Sequence, residues 1–123
     1  IINVSSVEGS QASKKNVSNY ITFKHAMNGF TKAAAFEYGD QGITVNAISP
    51  GAVETDLMMA QGPAAAESMG LTYEAFKDGY AQESAIKRLN TVDEVAGLAL
   101  FLVGEQAGGI TGAILPVDGG TGL

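Results

Sequence analysis

The chain has 123 residues, of which 46% are hydrophobic and 16% charged, so it is long enough for one globular domain and too apolar to be disordered. Seven basic against thirteen acidic residues give a net charge of −6, which argues against nucleic acid or an anionic membrane as partner, and no apolar run reaches the ~20 residues of a membrane-spanning helix. With no cysteine and one histidine the chain offers no thiolate nucleophile and no metal site, and the composition fits a cytoplasmic protein.

The first predicted elements are a strand, a loop and a long helix. Residues 1–5 form a short apolar run rich in β-branched side chains, which predicts a buried strand, and the polar stretch after them predicts a loop. From Val17 onward apolar residues recur every three or four positions. This spacing predicts a helix that is capped by Asn16 or Ser18 and ends at Gly39.

The rest of the chain continues the alternation of strand and helix. Residues 43–48 and 113–117 predict two further strands, and Thr91 is placed to cap a helix with an apolar stripe. Residues 52–80 are less regular, with a short helix around 72–80. Connections of this length are often lids or binding loops, so we interpret residues 52–80 as a substrate loop.

The order of these elements predicts the fold class. Strands that alternate with helices pair in parallel through crossover connections, which is the α/β class. Three parallel strands with two long helices do not cover both faces of such a sheet. We therefore expect residues 1–123 to be the carboxyl-terminal half of a doubly wound, Rossmann-type domain, with the other half upstream of Ile1.

Tyr20 and Lys24 are the first candidates for chemistry. They are four residues apart on the predicted helix and therefore lie on the same face. A free tyrosine has a pKa of about 10, and a neighbouring ammonium lowers it by favouring the phenolate. Such a phenol can donate and accept a proton near neutral pH. The alternative is a surface tyrosine beside a solvated lysine, which explains most chance occurrences of this spacing.

The ends of the first two predicted strands add further candidates. Ser6 follows the first strand, Pro50 and Gly51 form a turn after the second, and Thr55 adds a hydroxyl donor. Ligands of open α/β sheets bind beyond the carboxyl ends of the strands. We therefore expect both strand ends and the start of the helix to meet at one edge of the sheet.

Four motifs in fixed order resemble a known family. They are Asn3-Val4-Ser5-Ser6 with Gly9, Tyr20-x-x-x-Lys24, Val45-Asn46-Ala47-Ile48-Ser49-Pro50-Gly51-x-Val53-x-Thr55, and Val117-Asp118-Gly119-Gly120. Together they resemble the carboxyl-terminal half of a short-chain dehydrogenase/reductase of the small single-domain type, over essentially the whole chain. The resemblance implies an oxidoreductase that transfers a hydride between NAD or NADP and a small alcohol or ketone.

The same resemblance implies roles for individual residues. Tyr20 would be the catalytic acid/base, Ser6 would hydrogen-bond the reacting oxygen, and Lys24 would lower the pKa of Tyr20 and hold the nicotinamide ribose. Ser6 lies one position farther from Tyr20 than is usual in the family, and Ser5 is a fallback. The implied cofactor-binding residues are Tyr20, Lys24, Pro50, Gly51, Val53 and Thr55. The chain holds no glycine-rich phosphate loop of the dinucleotide-binding kind.

Two hypotheses of different class stay open. In the first, the chain is the catalytic half of an NAD(P)-dependent oxidoreductase. In the second, it is a non-catalytic member or fragment that serves in oligomer assembly, because small residues on the long helix, such as Ala26, Gly29 and Ala33, permit close helix packing. Members of the family commonly form dimers and tetramers, so the resemblance implies a homo-oligomer, and we expect a homotetramer.

Overall fold

The computed structural model describes residues 1–123, in which strands and helices alternate. In chain order the elements are β1 (Ile2–Val4), α1 (Ser18–Tyr38), β2 (Asn46–Pro50), β3 (Val53–Glu54), α2 (Asp56–Ser68), α3 (Tyr73–Gln82), β4 (Asn90–Thr91), α4 (Val92–Val103) and β5 (Ile114–Val117). Short 3-10 turns occupy Val7–Gly9, Gly39–Gln41 and Glu105–Ala107. None of the helices combines the length and the apolar character that crossing a membrane requires.

The main sheet has three parallel strands in the order β1-β2-β5. Val4 of β1 lies opposite Ile48 of β2, and Ile48 lies opposite Leu115 of β5, so the strands end near the same edge. The predicted α/β fold with parallel strands is confirmed. A second, two-stranded parallel sheet pairs β3 with β4, and the sequence analysis did not predict it.

The core lies on both faces of β2. Ile48 is buried with Leu102 and Ala107 on the α4 side. Val45, directly before β2, is buried with Ala34 of α1. Each fully buried valine or isoleucine stabilises the fold by about 1.5–3 kcal/mol relative to an exposed one. The central strand is therefore held between α1 and α4, as the alternating order of elements requires.

Several predicted boundaries differ from the structure. The first strand covers Ile2–Val4 and not residues 1–5, and it is not buried, because Val4 is exposed at the free edge of the sheet. The second strand begins at Asn46 and not at residue 43, because the Val45 amide donates to the Thr111 hydroxyl (3.1 Å) and not to a neighbouring strand. The N-cap of α1 is Val17, which makes no side-chain cap bond, so Asn16 and Ser18 are wrong as caps. Asn16 instead turns the chain, with a φ of 64°.

Residues 52–80 form two helices and not an irregular loop with one short helix, which corrects the prediction. Thr55 caps α2 by accepting the Met58 amide, and Thr72 caps α3 in the same way. Gly62 and Pro63 are poor helix formers, and they hide α2 in the sequence. Packing of α2 against α3 outweighs these weak propensities.

Gly62 allows α2 and α3 to approach closely. A Cβ atom at position 62 would overlap the aromatic ring of Tyr73, and the Tyr73 hydroxyl donates a hydrogen bond of 3.3 Å to the Met58 carbonyl. These contacts join the two helices along one seam. The α2–α3 pair therefore forms one packed unit beside the carboxyl end of β2.

The start of α4 matches the prediction. The Thr91 hydroxyl accepts the Glu94 amide (3.2 Å), while the Glu94 carboxylate accepts the Thr91 amide (2.8 Å), which is a capping box. Arg88 donates two hydrogen bonds to the same carboxylate, at 3.0 Å and 2.6 Å. The pKa of Glu94 is lowered to about 2, well below its usual value. The largest cause is the hydrogen bonding from Arg88, and the second is the Thr91 amide.

We expect Gly62→Ala to lower the free energy of unfolding by about 1–3 kcal/mol, because the added methyl group overlaps Tyr73 and forces α2 away from α3. Gly79→Ala in α3 is the matched control, since nothing lies within 4 Å of a Cβ there. That control should be neutral or stabilising by up to ~1 kcal/mol through helix propensity. Chemical denaturation of the natural full-length protein measures both changes, and equal effects would contradict the close packing at Gly62.

We expect Glu94→Gln to destabilise the protein near neutral pH and to lose this effect in acid. The carboxylate has a pKa of about 2 in the folded chain and of about 4.5 when unpaired. The contribution of the Glu94 carboxylate to the free energy of unfolding is therefore complete above about pH 4.5 and disappears as the pH falls toward about 2. The difference in thermal midpoint between the variant and the natural protein should shrink between about pH 7 and about pH 3. A difference that stays constant over this range would contradict the assignment.

Candidate active site

One cleft contains every residue that the sequence analysis placed in the site. It has a volume of about 490 Å³ and lies at the carboxyl ends of β1 and β2. The predicted residues that line it are Ser6, Tyr20, Lys24, Pro50, Gly51, Val53 and Thr55. Apolar side chains of β1 and α4 form another part of its wall. The structure therefore brings the predicted catalytic and cofactor residues together.

Lys24 is anchored to the end of the first strand. Its ammonium donates a hydrogen bond of 2.8 Å to the Val4 carbonyl and lies 5.5 Å from the centroid of the Tyr20 ring. This bond joins the first turns of α1 to β1 and leaves the other ammonium hydrogens free for a ligand. The predicted juxtaposition of Tyr20 and Lys24 on one helix face is present in the structure.

Ser6 and Ser5 have different partners, which separates their roles. The Ser6 hydroxyl caps the turn after β1 by accepting the Glu8 amide (3.2 Å), so its own proton is free to be donated into the cleft. The Ser5 hydroxyl instead donates to the Lys24 carbonyl (3.4 Å). Ser6 is therefore the better placed hydroxyl, and Ser5 helps to hold the strand end against α1.

Two polar residues that the sequence analysis missed hold the loop that carries Ser6. Asn28 of α1 donates to the Gly9 carbonyl (2.8 Å), and a Cβ at Gly9 would lie 2.7 Å from the Ser5 hydroxyl. The buried Glu8 carboxylate accepts hydrogen bonds from the amide and the hydroxyl of Ser13. The only available signal was the spacing of Asn28, one helical turn beyond Lys24 on the same face.

The wall opposite α1 is set by the turn after β2. The Gly51 amide donates to the Val117 carbonyl (3.1 Å), and a Cβ at Gly51 would lie 2.9 Å from the Cα of Asp118. Only glycine permits this approach of the turn to the end of β5. Val53 then pairs with β4 in the second sheet, and Thr55 caps α2. These two contacts fix the position and the direction of this wall.

The cleft fits one half of a nicotinamide dinucleotide. A nicotinamide ring needs an apolar surface, which Pro50 and Val53 offer, and its carboxamide needs a polar partner, which Thr55 offers. The hydroxyls of a ribose need a hydrogen-bond donor, which the Lys24 ammonium offers. Lys24 is the one basic residue in the lining, so the chain's own part of the cleft offers little for two phosphates. The residues present therefore fit the nicotinamide and its ribose.

A family model described as Enoyl-(Acyl carrier protein) reductase matches residues 1–122. The chain is 40% identical over 121 residues to D-beta-hydroxybutyrate dehydrogenase of Rhizobium meliloti (strain 1021). This alignment covers 98% of this chain and 46% of that protein. The chain thus spans about half the length of the curated relatives it matches.

Solved structures of short-chain dehydrogenases and reductases are also similar to this chain. A short chain dehydrogenase family protein from Francisella tularensis superposes with a TM-score of 0.90 at 28% identity, over 97% of this chain and 49% of that one. An actinorhodin polyketide ketoreductase with NADPH has a TM-score of 0.86 at 33% identity, over 97% and 45%. A 4-hydroxyisoleucine dehydrogenase mutant complexed with NADH and succinate has 0.81 at 30%, over 98% and 45%. The chain belongs to the short-chain dehydrogenase/reductase family.

Proposed function

We propose that the protein carrying this chain is an NAD(P)-dependent oxidoreductase that interconverts an alcohol and a ketone, with Tyr20 as general acid/base. The observation that carries this proposal is the shared cleft, in which Ser6, Tyr20 and Lys24 meet the apolar wall of Pro50 and Val53. Proton donors and a surface for a nicotinamide ring lie in the same concavity. That is the pairing which hydride transfer to a carbonyl requires.

Ser6 and Tyr20 divide the handling of the substrate oxygen. The Ser6 hydroxyl, whose acceptor side is occupied by the Glu8 amide, donates to the oxygen and orients it. The Tyr20 hydroxyl makes no hydrogen bond within the chain, and the side chain is partly exposed to the cleft. Tyr20 therefore gives its proton to the oxygen during reduction and takes one from the alcohol during oxidation.

Lys24 supports Tyr20 by electrostatics. Its ammonium is held near the Tyr20 ring by the Val4 carbonyl, so it places a positive charge in the cleft where negative charge would develop on the substrate oxygen. Its remaining hydrogens face the cleft, where they can hold ribose hydroxyls. Lys24 thus serves the proton transfer and the position of the cofactor at once.

When bound, the cofactor supplies the hydride, and the residues of this chain bind its nicotinamide end. The two cofactor-bound neighbours above hold NADH in one case and NADPH in the other, so NAD and NADP both stay open for this protein. Pro50, Gly51 and Val53 would pack against the nicotinamide ring, and Thr55 would offer its hydroxyl to the carboxamide. The phosphates and the adenosine would be held by groups other than those of this cleft.

The free edge of β1 is where we place the rest of the dinucleotide site. β1 ends the sheet order and pairs with β2 alone, and Ile1 and Val4 are exposed beside this edge. Further parallel strands added there would complete a doubly wound sheet and cover these side chains. This half-domain organisation, the homo-oligomer and the cytoplasmic location stay predictions.

A role in assembly stays the second candidate function. Phe23 and Phe30 are exposed on one face of α1, seven residues apart, and apolar faces of this kind are covered when helices pack against a partner. An assembly role alone does not require Ser6, Tyr20 and Lys24 in one cleft. We therefore place catalysis first.

We expect Tyr20→Phe, made in the natural full-length protein, to lower kcat by about 10²–10⁴-fold, because the variant cannot donate or accept the proton. Affinity for NADH or NADPH, measured by calorimetry, should change little, since the ring itself stays in place. Tyr38→Phe is the matched control, because Tyr38 lies at the end of the same helix and does not line the cleft. Turnover that is unchanged in Tyr20→Phe would remove Tyr20 from the mechanism.

A further inference from the structure

We propose that the substrate carries an uncharged, apolar group and that this group lies in a chamber between α2 and α3, so that free keto acids and free hydroxy acids are disfavoured. This inference rests on the proposed function, because it assumes that the reacting oxygen lies at Tyr20. It goes beyond that function by naming the chemical class of the substrate.

The chamber is apolar. It has a volume of about 310 Å³, at the lower end of the range for ligand pockets. Met58, Ala65, Phe76 and Tyr80 form much of its surface, and Gln61 brings the one amide side chain. No charged side chain lines it. A group of the size of a short alkyl chain or a single ring can fill this space without leaving a charge desolvated.

The chamber adjoins the cleft that holds Tyr20. Val53 and Thr55 line both cavities, so the turn after β2 is their common border. A substrate with its carbonyl near Ser6 and Tyr20 can extend past Val53 toward Phe76. The same two residues that we assign to the nicotinamide therefore also border the part of the substrate that does not react.

The chamber is built before any ligand binds. The Phe76 and Tyr80 rings meet edge to face with centroids 5.2 Å apart, and the Tyr73 hydroxyl bonds to the Met58 carbonyl. Gly62 seats α2 directly against Tyr73. These contacts hold the aromatic side chains of α3 against α2, so the walls of the chamber belong to two packed helices and not to a loose loop.

The charge around the chamber opposes anions. Residues 53–83 contain six carboxylates and one lysine, a net charge of −5 out of −6 for the whole chain. That lysine, Lys77, is already paired with Glu54 (3.4 Å) and Glu74 (3.1 Å). Lys14, from the loop after β1, pairs with Glu83 and lies 5.0 Å from the centre of the Tyr80 ring. Neither cation is left to receive a carboxylate or phosphate.

The physical consequence is selectivity by charge. A carboxylate that lies against this apolar lining without a cation gives up part of its hydration and gains no partner, which is unfavourable. Acidic surroundings also lower the local concentration of anions at the entrance. The Rhizobium relative is named for hydroxybutyrate, which is an anion near neutral pH, so the inference predicts that this chain's protein differs from that relative in substrate.

The test compares two ketones that differ only at the far end. 2-Octanone and 7-oxooctanoate share the same carbon chain and the same carbonyl position, and only the second ends in a carboxylate. With the natural full-length protein and reduced cofactor, kcat/KM should be at least about 100-fold higher for 2-octanone. The neutral methyl ester of 7-oxooctanoate should resemble 2-octanone. Equal or better turnover of 7-oxooctanoate would overturn the inference while leaving the proposed oxidoreductase function intact.

A pair of variants assigns the effect to the chamber. Gln61→Lys adds a cation to the lining of the chamber and should narrow the ratio of the two kcat/KM values by at least about tenfold, whereas the neutral variant Gln61→Met should not narrow it. The same change in both variants would place the selectivity elsewhere and would contradict the chamber.

Binding separates this inference from the proposed function. In Tyr20→Phe, calorimetry in the presence of cofactor should show tighter binding of 2-octanone than of 7-oxooctanoate. Turnover of a ketone by the natural protein that is lost in Tyr20→Phe supports the proposed function, whereas the order in which the two ketones bind tests the inference. The reverse binding order would overturn it.

Discussion

The parallel alignment of β1 with β2, and of β2 with β5, is the constraint on which the rest of the site depends. Because the strands end near one edge, the segments that leave them must turn within a small volume. The hydrogen bond from Lys24 to the Val4 carbonyl fastens α1 to this edge, and Gly51 lets the turn after β2 pack against Asp118. A shift of β1 relative to β2 would separate Ser6, Tyr20 and Lys24 from the apolar wall of Pro50 and Val53.

The sequence predicted those features that depend on local chemistry or on strand order. The apolar runs predicted the three strands of the main sheet, and the Tyr20–Lys24 spacing predicted a shared helix face that the structure contains. Thr91 could be identified as a cap because its capping box with Glu94 lies within four residues. Each of these features can be recognised from neighbouring residues alone.

The features that the sequence did not predict depend on contacts between distant residues. α2 was missed because Gly62 and Pro63 oppose a helix, and only the Tyr73 ring, supplied by the next helix, explains the glycine. The pairing of Val53 with Asn90 joins two short strands far apart in the chain, and neither is long enough to show a period. Glu8 was likewise unpredictable as a buried carboxylate, since its partner Ser13 lies in a loop without regular spacing.

The site divides into two regions of opposite electrostatic character. In the cleft the ammonium of Lys24 favours negative charge, which the proposed reaction would develop on the substrate oxygen. Around α2 and α3 the acidic surface and the apolar lining favour a neutral group. A substrate that places its carbonyl in the first region and an uncharged body in the second satisfies both. This division connects the proposed chemistry to the proposed selectivity.

The most direct measurement is a crystal structure of the natural full-length protein with reduced cofactor and a ketone that reacts slowly. Our account predicts that the nicotinamide packs on Pro50 and Val53, and that the hydroxyls of Ser6 and Tyr20 both lie within about 2.6–3.2 Å of the ketone oxygen. A nicotinamide bound outside this cleft, or a ketone oxygen held by other side chains, would contradict the account.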